Sequence, residues 1–236
     1  MKSTLGLCVV VLFAAASSFA AVMPVNSSLA LHGYANSGAN PIEDSEYTTQ
    51  TTAITGLSVE VFAQSFNGDL SDSVQSIGVA NWTSPTAGQF SLTTRFNSDD
   101  LSAYSGSELG TGGGGFQYTF TCEFAATVEL IYDITRAGSF TYALVPGYSF
   151  SQPNQSVADG FTSRNSESGS LSFAIAPNST CTLGFFDVSN LHQNLPFFSN
   201  EMVATFSYTI TEVPESSALG VMGLGFAFIR RTKRKG

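Results

Sequence analysis

Residues 202–211 read MVATFSYTIT, and this stretch decides the fold. Its apolar side chains recur at every second position, which is the period of a β-strand that buries one face. That face consists of Met202, Ala204, Phe206, Tyr208 and Ile210, whereas the opposite face is mainly threonine and serine. The pattern therefore predicts a half-buried strand with one face on a core and the other in solvent.

The same alternation recurs through the middle of the chain. Each run is bounded by clusters of Gly, Ser, Asn or Pro, which supply turns, and no convincing amphipathic helix lies between them. About nine or ten such strands predict an all-β fold with antiparallel sheets packed as a β-sandwich or jelly roll. The predicted buried positions are Leu57, Val59 and Val61; Phe116, Tyr118, Phe120, Cys122 and Phe124; Val128, Leu130, Tyr132 and Ile134; Phe140, Tyr142 and Leu144; and Leu171, Phe173 and Ile175.

Loops are predicted where Gly, Ser, Asn, Asp or Pro accumulate, at residues 65–74, 97–115 and 146–169. The second of them ends in the string GTGGGG at positions 110–115, which contains the spacing G-x-G-x-x-G. A dinucleotide site needs that string between a strand and a helix, so that backbone amides face a pyrophosphate. Here it precedes a predicted strand, and we interpret it as a flexible loop.

The charge of the chain is unevenly distributed. Residues 21–213 contain seventeen carboxylates and three arginines, Arg95, Arg136 and Arg164, which is a net charge of about −14 at neutral pH. Such a domain repels nucleic acid. The simplest interpretation is a solvated surface that resists aggregation, and the alternative is attraction of divalent cations or cationic polymers.

Cysteine is rare. Cys8 lies in the N-terminal leader, which leaves Cys122 and Cys181 in the body of the chain. In an oxidising compartment these two are a candidate disulfide, whose loop of about 60 residues contributes roughly 4 kcal/mol in the chain-entropy model. Two free buried thiols are the alternative.

The N-terminus resembles a secretory signal peptide in its order of segments. Lys2 is followed by an apolar run at positions 5–16 and then by Ser18-Phe19-Ala20, with small residues at the two positions that signal peptidase recognises. We predict cleavage after Ala20, so that residues 1–20 form a signal peptide. The apolar run is too short to span a bilayer.

The C-terminus also consists of three consecutive blocks. A short motif, Val213-Pro214-Glu215-Ser216, precedes an uncharged segment that ends at position 229. As a helix, its fourteen residues from 216 reach about 21 Å, and arginines that snorkel extend this towards the roughly 30 Å hydrocarbon core. Its apolar residues include Ala218, Leu219, Val221, Leu224, Phe226, Phe228 and Ile229.

A basic cluster ends the chain and consists of Arg230, Arg231, Lys233, Arg234 and Lys235. By the positive-inside rule these residues stay in the cytoplasm while everything before Pro214 lies outside. The sequence therefore predicts a stop-transfer element that holds the protein in the inner membrane through a C-terminal hydrophobic helix.

Residues 213–236 resemble the PEP-CTERM sorting domain, in which a short polar motif, a small-residue-rich apolar helix and a basic cluster follow one another. That family has Val-Pro-Glu-Pro at the motif, and Ser216 replaces the second proline here. The resemblance implies a Gram-negative host, cleavage near the motif by an exosortase-like enzyme, and release or attachment outside the cell, often with exopolysaccharide. The alternative is a C-terminal membrane anchor that is never cut.

Catalytic motifs are not found. The two histidines, His32 and His192, lie in no recognisable motif, and the body has too few His and Cys residues for a typical zinc site. The carboxylates Asp99, Asp100, Glu129 and Asp133 are candidates for glycosidase pairs, although an acidic domain supplies such pairs by chance. Asn67, Asp69, Ser71 and Asp72 resemble part of a calcium loop without its final glutamate, so a solvated turn is favoured. We predict no enzyme, no metal and no cofactor.

The sequence therefore predicts three segments: a signal peptide at 1–20, a β-sandwich at 21–212 and a sorting or anchor segment at 213–236. We expect an exported cell-envelope or extracellular-matrix protein with a structural or adhesive role. The alternative function is a polysaccharide-binding module, with calcium as a candidate helper. Aromatic residues that could contact sugar are Trp82, Tyr104, Tyr148 and Phe150, although Trp82 also fits a core position.

Overall fold

The computed structural model describes residues 21–35, 42–51, 56–67, 70–98, 110–138, 145–191 and 198–214, and every helix or strand within them is a β-strand. This confirms the predicted all-β class, although the strands number twelve rather than nine or ten. They are β1 (Val22–Ala35), β2 (Ile42–Thr51), β3 (Leu57–Asn67), β4 (Leu70–Ser84), β5 (Ala87–Ser98), β6 (Gly110–Cys122), β7 (Ala126–Ala137), β8 (Pro146–Gln152), β9 (Gln155–Gly160), β10 (Glu167–Ile175), β11 (Ser179–Leu191) and β12 (Phe198–Glu212).

The strands form two antiparallel sheets of six strands each, which pack face to face as a β-sandwich. Sheet A has the order β2-β1-β6-β11-β8-β9, and sheet B has the order β10-β7-β12-β5-β4-β3. The long strands β6 and β12 each have a partner on both sides, so their backbone groups are hydrogen-bonded along most of their length.

The alternation in the sequence sets which face of each strand is buried. Met202, Ala204, Phe206, Tyr208 and Ile210 are all buried, as the pattern of β12 predicts. The predicted faces of β3 and β6 are likewise buried, and that of β7 is buried apart from the half-buried Tyr132. The exception is Phe124, which follows the end of β6 and packs against the core from a turn.

Aromatic rings from both sheets meet in the centre of the sandwich. Phe116 and Phe185 of sheet A stack with Phe90 of sheet B at ring-centroid distances of 5.0 and 5.8 Å. Phe206 of sheet B stacks on Phe185 at 4.7 Å. Each of these rings is almost fully buried, so the four together supply a large share of the apolar surface that stabilises the fold.

Two of the predicted loops are largely strand. Within 65–74, β3 continues to Asn67 and β4 begins at Leu70. Within 146–169, the strands β8 and β9 form a hairpin, and β10 begins at Glu167. Ser, Gly and Asn suggested loops because they have low strand propensity, but pairing with a neighbouring strand outweighs that weak preference.

The glycine-rich string at 110–115 is also strand rather than flexible loop, because it is the first half of β6 and pairs with β1 and β11. Gly114 has φ +140°, a backbone conformation that other residues rarely adopt. A Cβ at Gly114 would collide with the carbonyl oxygen of Ala30 and lie 2.8 Å from the Cα of Leu31. Glycine is therefore required for close approach of β6 to β1.

Several predictions lie outside the described residues: the signal peptide at 1–20, the run at 139–144, and the tail from 215 onward. Residues 99–109 of the predicted loop at 97–115 also lie outside them. Within the seven described ranges, no helix has the length and apolar character needed to cross a bilayer.

Candidate functional site

Both ends of the described chain meet at the turn between β6 and β7. The backbone nitrogen of Ala21 donates to a carboxylate oxygen of Glu123 at 3.4 Å, and the backbone nitrogen of Val213 donates to the carbonyl oxygen of Ala125 at 2.8 Å. The register agrees with these contacts, because Val22 pairs with Cys122 and Glu212 pairs with Ala126. The start of β1 and the end of β12 therefore lie at the same end of the sandwich.

A buried arginine links β7 to the connection between β9 and β10. Arg136 has a side chain that is 0% exposed and that donates to the carbonyl oxygens of Phe161 at 2.6 Å and Asn165 at 2.7 Å. It also forms an ion pair with Glu167 at 3.0 Å. These contacts satisfy a cation that would otherwise be very costly to bury, so the role of Arg136 is structural.

A buried carboxylate connects the two sheets. Asp187 of β11 is 2% exposed and accepts a hydrogen bond from the hydroxyl of Thr94 in β5 at 2.5 Å. The neighbour of Thr94 on β4 is Ser76, which is also buried. This polar contact spans the core near the ends of β5 and β11, where the apolar layer gives way to polar side chains.

The carboxylates predicted as glycosidase or calcium candidates do not come together where the structure describes them. Glu129 and Asp133 lie exposed on one face of β7, four residues apart, which is about 13 Å along a strand and too far for a glycosidase pair. Asn67 ends β3 and Asp72 is buried within β4, so these two residues do not lie in one loop as the calcium alternative requires. Asp69, Asp99, Asp100 and His192 lie outside the described residues, and His32 is in β1.

Described residues of the types that can bind a metal ion are likewise dispersed. In the described ranges, no three His, Cys, Asp or Glu side chains cluster as they would around a metal ion.

The three described aromatic residues that were candidates for sugar contact face the core rather than solvent. Tyr148 and Phe150 belong to β8 and are buried, which corrects their expected place in a loop. Trp82 is half-buried and packs against Phe116 and Tyr118 at 5.5 and 5.9 Å, as its core interpretation expects. Tyr104 lies outside the described residues.

The two cysteines are buried on the neighbouring strands β6 and β11, and both are free thiols in the structure. Cys122 pairs with Ser179 and Cys181 pairs with Phe120, so the cysteines are diagonal neighbours. Such pairs are roughly 7–8 Å apart, slightly beyond the usual reach of a disulfide. Burial raises the pKa of Cys181 to about 11 and also raises that of Cys122, which keeps both thiols protonated at neutral pH. The bridge stays a prediction.

The outer face of sheet A carries a shallow groove of about 300 Å³. Small residues of β1, β6 and β11, including Ala30, Gly115 and Gly184, form its floor, and Gln117 and Phe186 lie beside them. The ring of Phe186 lies against Gly147, where a Cβ would collide with it. The groove therefore has hydroxyl and amide groups, one half-buried ring and no charged residue in its lining.

That absence of charge extends beyond the groove along five of the six strands of sheet A, all except β2. We call the outward positions of residues 23–32, 115–121, 180–188, 147–151 and 156–160, on β1, β6, β11, β8 and β9, the uncharged face. Among its described side chains there is no Asp, Glu, Lys or Arg, because Asp187 and Asp159 lie in the opposite phase of β11 and β9, where Asp159 pairs with the buried Tyr148. Its ionisable residue is His32. The outer face of sheet B, in contrast, carries Glu60, Arg95, Glu129, Asp133 and Glu201.

Comparison with protein families and with curated proteins finds no match to the chain. The burial of Arg136 and Asp187 was not predicted, although a signal was present in the sequence. Both occupy the buried phase of an alternating strand, Arg136 two positions after Ile134 and Asp187 two positions after Phe185. A charged residue at an inward-facing position of such a strand indicates a buried charge that is held by hydrogen bonds or an ion pair.

Proposed function

We propose that the chain is an exported cell-envelope protein with a structural or adhesive role, sorted through residues 213–236. In this proposal signal peptidase cuts after Ala20, the C-terminal helix holds the body at the inner membrane, and an exosortase-like enzyme cuts near Pro214 and Glu215. The body then acts at the cell surface or outside the cell, where exopolysaccharide is a candidate neighbour.

The observation that carries the proposal is the meeting of both chain ends at the turn that contains Glu123 and Ala125. A domain whose two ends leave from one side can stand on a membrane with that side inward. The opposite ends of the strands, including the ends of β5, β7 and β11, then face away from the membrane. Cutting near Pro214 removes no residue of β12, which ends at Glu212, so the sandwich stays intact.

The acidic surface also supports this role. With about −14 charges on the body, neighbouring copies repel one another at most orientations and stay soluble after release. The alternative, a polysaccharide-binding module, commonly uses exposed aromatic rings, and three of its four named candidates face the core. We therefore place the structural or adhesive role first.

The test is intact-mass analysis and fractionation of the protein from its native host. We expect a mature body that begins at Ala21 and ends near Val213 or Pro214. A Pro214→Ala, Glu215→Ala double variant should accumulate as membrane-bound precursor, because the motif that the enzyme reads is altered.

The matched control is a Thr211→Ala, Glu212→Ala double variant, which changes two exposed residues just before the motif and should be processed normally. A Ser216→Pro variant restores the motif of the family and should be cut at least as completely as the parent. Retention of Arg230 to Gly236 in the membrane fraction of the parent would show that the tail is a permanent anchor.

A further inference from the structure

The uncharged face is the feature of this molecule that the sorting role does not explain. It extends over five strands of sheet A, whereas the body around it is strongly acidic. Most of its side chains are Ser, Thr, Gly, Ala, Asn or Gln, and the glycines flatten it, because Gly115, Gly184 and Gly147 project no side chain.

We infer that the uncharged face binds a second copy of this chain. Lack of charge matters most for a partner that is itself acidic, because two bodies of about −14 repel each other wherever carboxylates meet. Through this face, two copies can make contact without placing carboxylates opposite one another. The inference rests on the proposed structural role, for which it names the partner.

A neutral polysaccharide fits the same surface less well. Sugar hydroxyls are bound most strongly by charged acceptors such as carboxylates, since charge-assisted hydrogen bonds are the stronger ones. A sugar-binding face has no reason to exclude Asp and Glu. Its aromatic ring, Phe186, is half-buried against Gly147 rather than presented to solvent.

The size of the uncharged face also suits a second copy. Five strands at about 4.8 Å spacing, with alternate residues about 6.8 Å apart, give an area on the order of 700 Å². A standard protein interface buries about 800 Å² on each partner. A two-fold axis through the face would pair it with itself, which closes the assembly as a dimer.

The experiment is sedimentation equilibrium of the full chain in a nonionic detergent whose density the buffer matches. Gln117→Glu adds one carboxylate to the centre of the uncharged face without changing side-chain size. Gln89→Glu is the matched control, because Gln89 is an exposed glutamine on the central strand β5 of sheet B. We expect the parent and Gln89→Glu to form a reversible dimer with dissociation constants within about twofold.

Gln117→Glu should raise the dimer dissociation constant by about tenfold or more, since the interface then buries an unpaired charge. A second pair repeats the comparison with Thr180→Glu on the uncharged face and Thr209→Glu on sheet B, both exposed threonines. All variants carry the same tail, and a thermal melt of each confirms that it is folded.

Three outcomes overturn the inference. Equal dissociation constants for Gln117→Glu and Gln89→Glu would place the contact elsewhere, for example in the tail. Loss of the dimer on adding EDTA would indicate metal ions that bridge carboxylates. A parent that stays monomeric but is retained on a dextran column, with retention lost in Gln117→Glu, would assign the face to sugar instead.

Failure of this inference is distinguishable from failure of the sorting proposal. Processing in the host is read from the mass of the C-terminus, and association is read from sedimentation. A Gln117→Glu chain that is cut normally but does not associate leaves sorting intact. A parent that associates but is never cut leaves the dimer intact.

Discussion

The two sheets of this protein are alike on the inside and different on the outside. Both contribute stacked rings to one core, with Phe116 and Phe185 from sheet A and Phe90 and Phe206 from sheet B. Outside, sheet B carries five charged residues, including the exposed pair Arg95–Glu201 at 2.6 Å, whereas the described part of the uncharged face carries none. The inner faces are alike because both must be apolar to form the core. The outer faces differ because neither has to be buried in that core.

The largest expected effect on stability comes from replacing Arg136, the buried arginine of sheet B. Arg136→Met should lower the free energy of unfolding by about 3–5 kcal/mol, because Glu167 and two carbonyl oxygens lose their partner. Arg95→Met is the control: its ion pair is about 40% exposed, so the loss should stay below about 1 kcal/mol. Urea unfolding measures both variants, and equal losses would show that burial of Arg136 is unimportant.

The next effect tests how closely sheet A is packed. Gly114→Ala should cost about 2–4 kcal/mol, because a Cβ would meet the backbone of Ala30 and Leu31 and the residue has φ +140°. Gly115→Ala, one residue along, meets nothing closer than the carbonyl oxygen of Phe185 at 3.2 Å and should cost less than about 1 kcal/mol. Similar midpoints in urea for both variants would contradict the close approach of β6 to β1.

The effect that is smallest at neutral pH concerns the tyrosines where the two sheets meet. Tyr118 of sheet A and Tyr208 of sheet B stack at 5.6 Å. Burial raises the pKa of Tyr118 to about 12 and raises that of Tyr208 as well. An unfolded tyrosine has a pKa near 10, so the unfolded state loses its proton first as the pH rises.

The contribution of these two tyrosines to the free energy of unfolding should therefore be constant below about pH 10 and should fall between about pH 10 and 12, by roughly 1.4 kcal/mol per pH unit for each tyrosine. The buried thiols of Cys122 and Cys181, whose pKa values are also raised, add a separate fall that begins at lower pH. Urea titrations across this range measure the slope. A Tyr118→Phe, Tyr208→Phe variant should lose the part of the slope between about pH 10 and 12 that the tyrosines contribute. It should also cost about 1 kcal/mol at neutral pH, because the hydrogen bond from Tyr118 to the carbonyl oxygen of Pro85 is lost. An unchanged slope in this variant would assign alkaline unfolding to other groups.

The fold was predictable where side chains alternate, as in β3, β7 and β12, because burial of one face requires period two. It was not predictable in the first half of β6 or in the hairpin β8–β9, whose Gly, Ser and Asn content is typical of loops. Those segments are strands because β1 and β11 supply hydrogen bonds on either side of β6, and β11 supplies them to β8. Such partners are distant in sequence, and no local pattern reveals them.

The candidate sites were predictable to a smaller extent. The aromatic candidates Tyr148 and Phe150 were placed in a loop because 146–169 lacks a long alternation, yet pairing with β11 turns both side chains inward. Arg136 and Asp187 could have been recognised as charges in a buried phase. Their partners, Phe161 and Thr94, could not have been recognised. Phe161 lies in the connection between β9 and β10, and Thr94 lies in the opposite sheet from Asp187.

By itself the sequence determined the all-β class and the buried phase of the alternating strands, since both follow from local periodicity and from the absence of helical patterns. Only the tertiary structure decided the order of strands in each sheet, the meeting of Ala21 and Val213 at one turn, and the gathering of uncharged positions onto one face. The physical reason is that sheets are assembled from residues far apart in the chain, so surface and site depend on long-range pairing that periodicity does not encode.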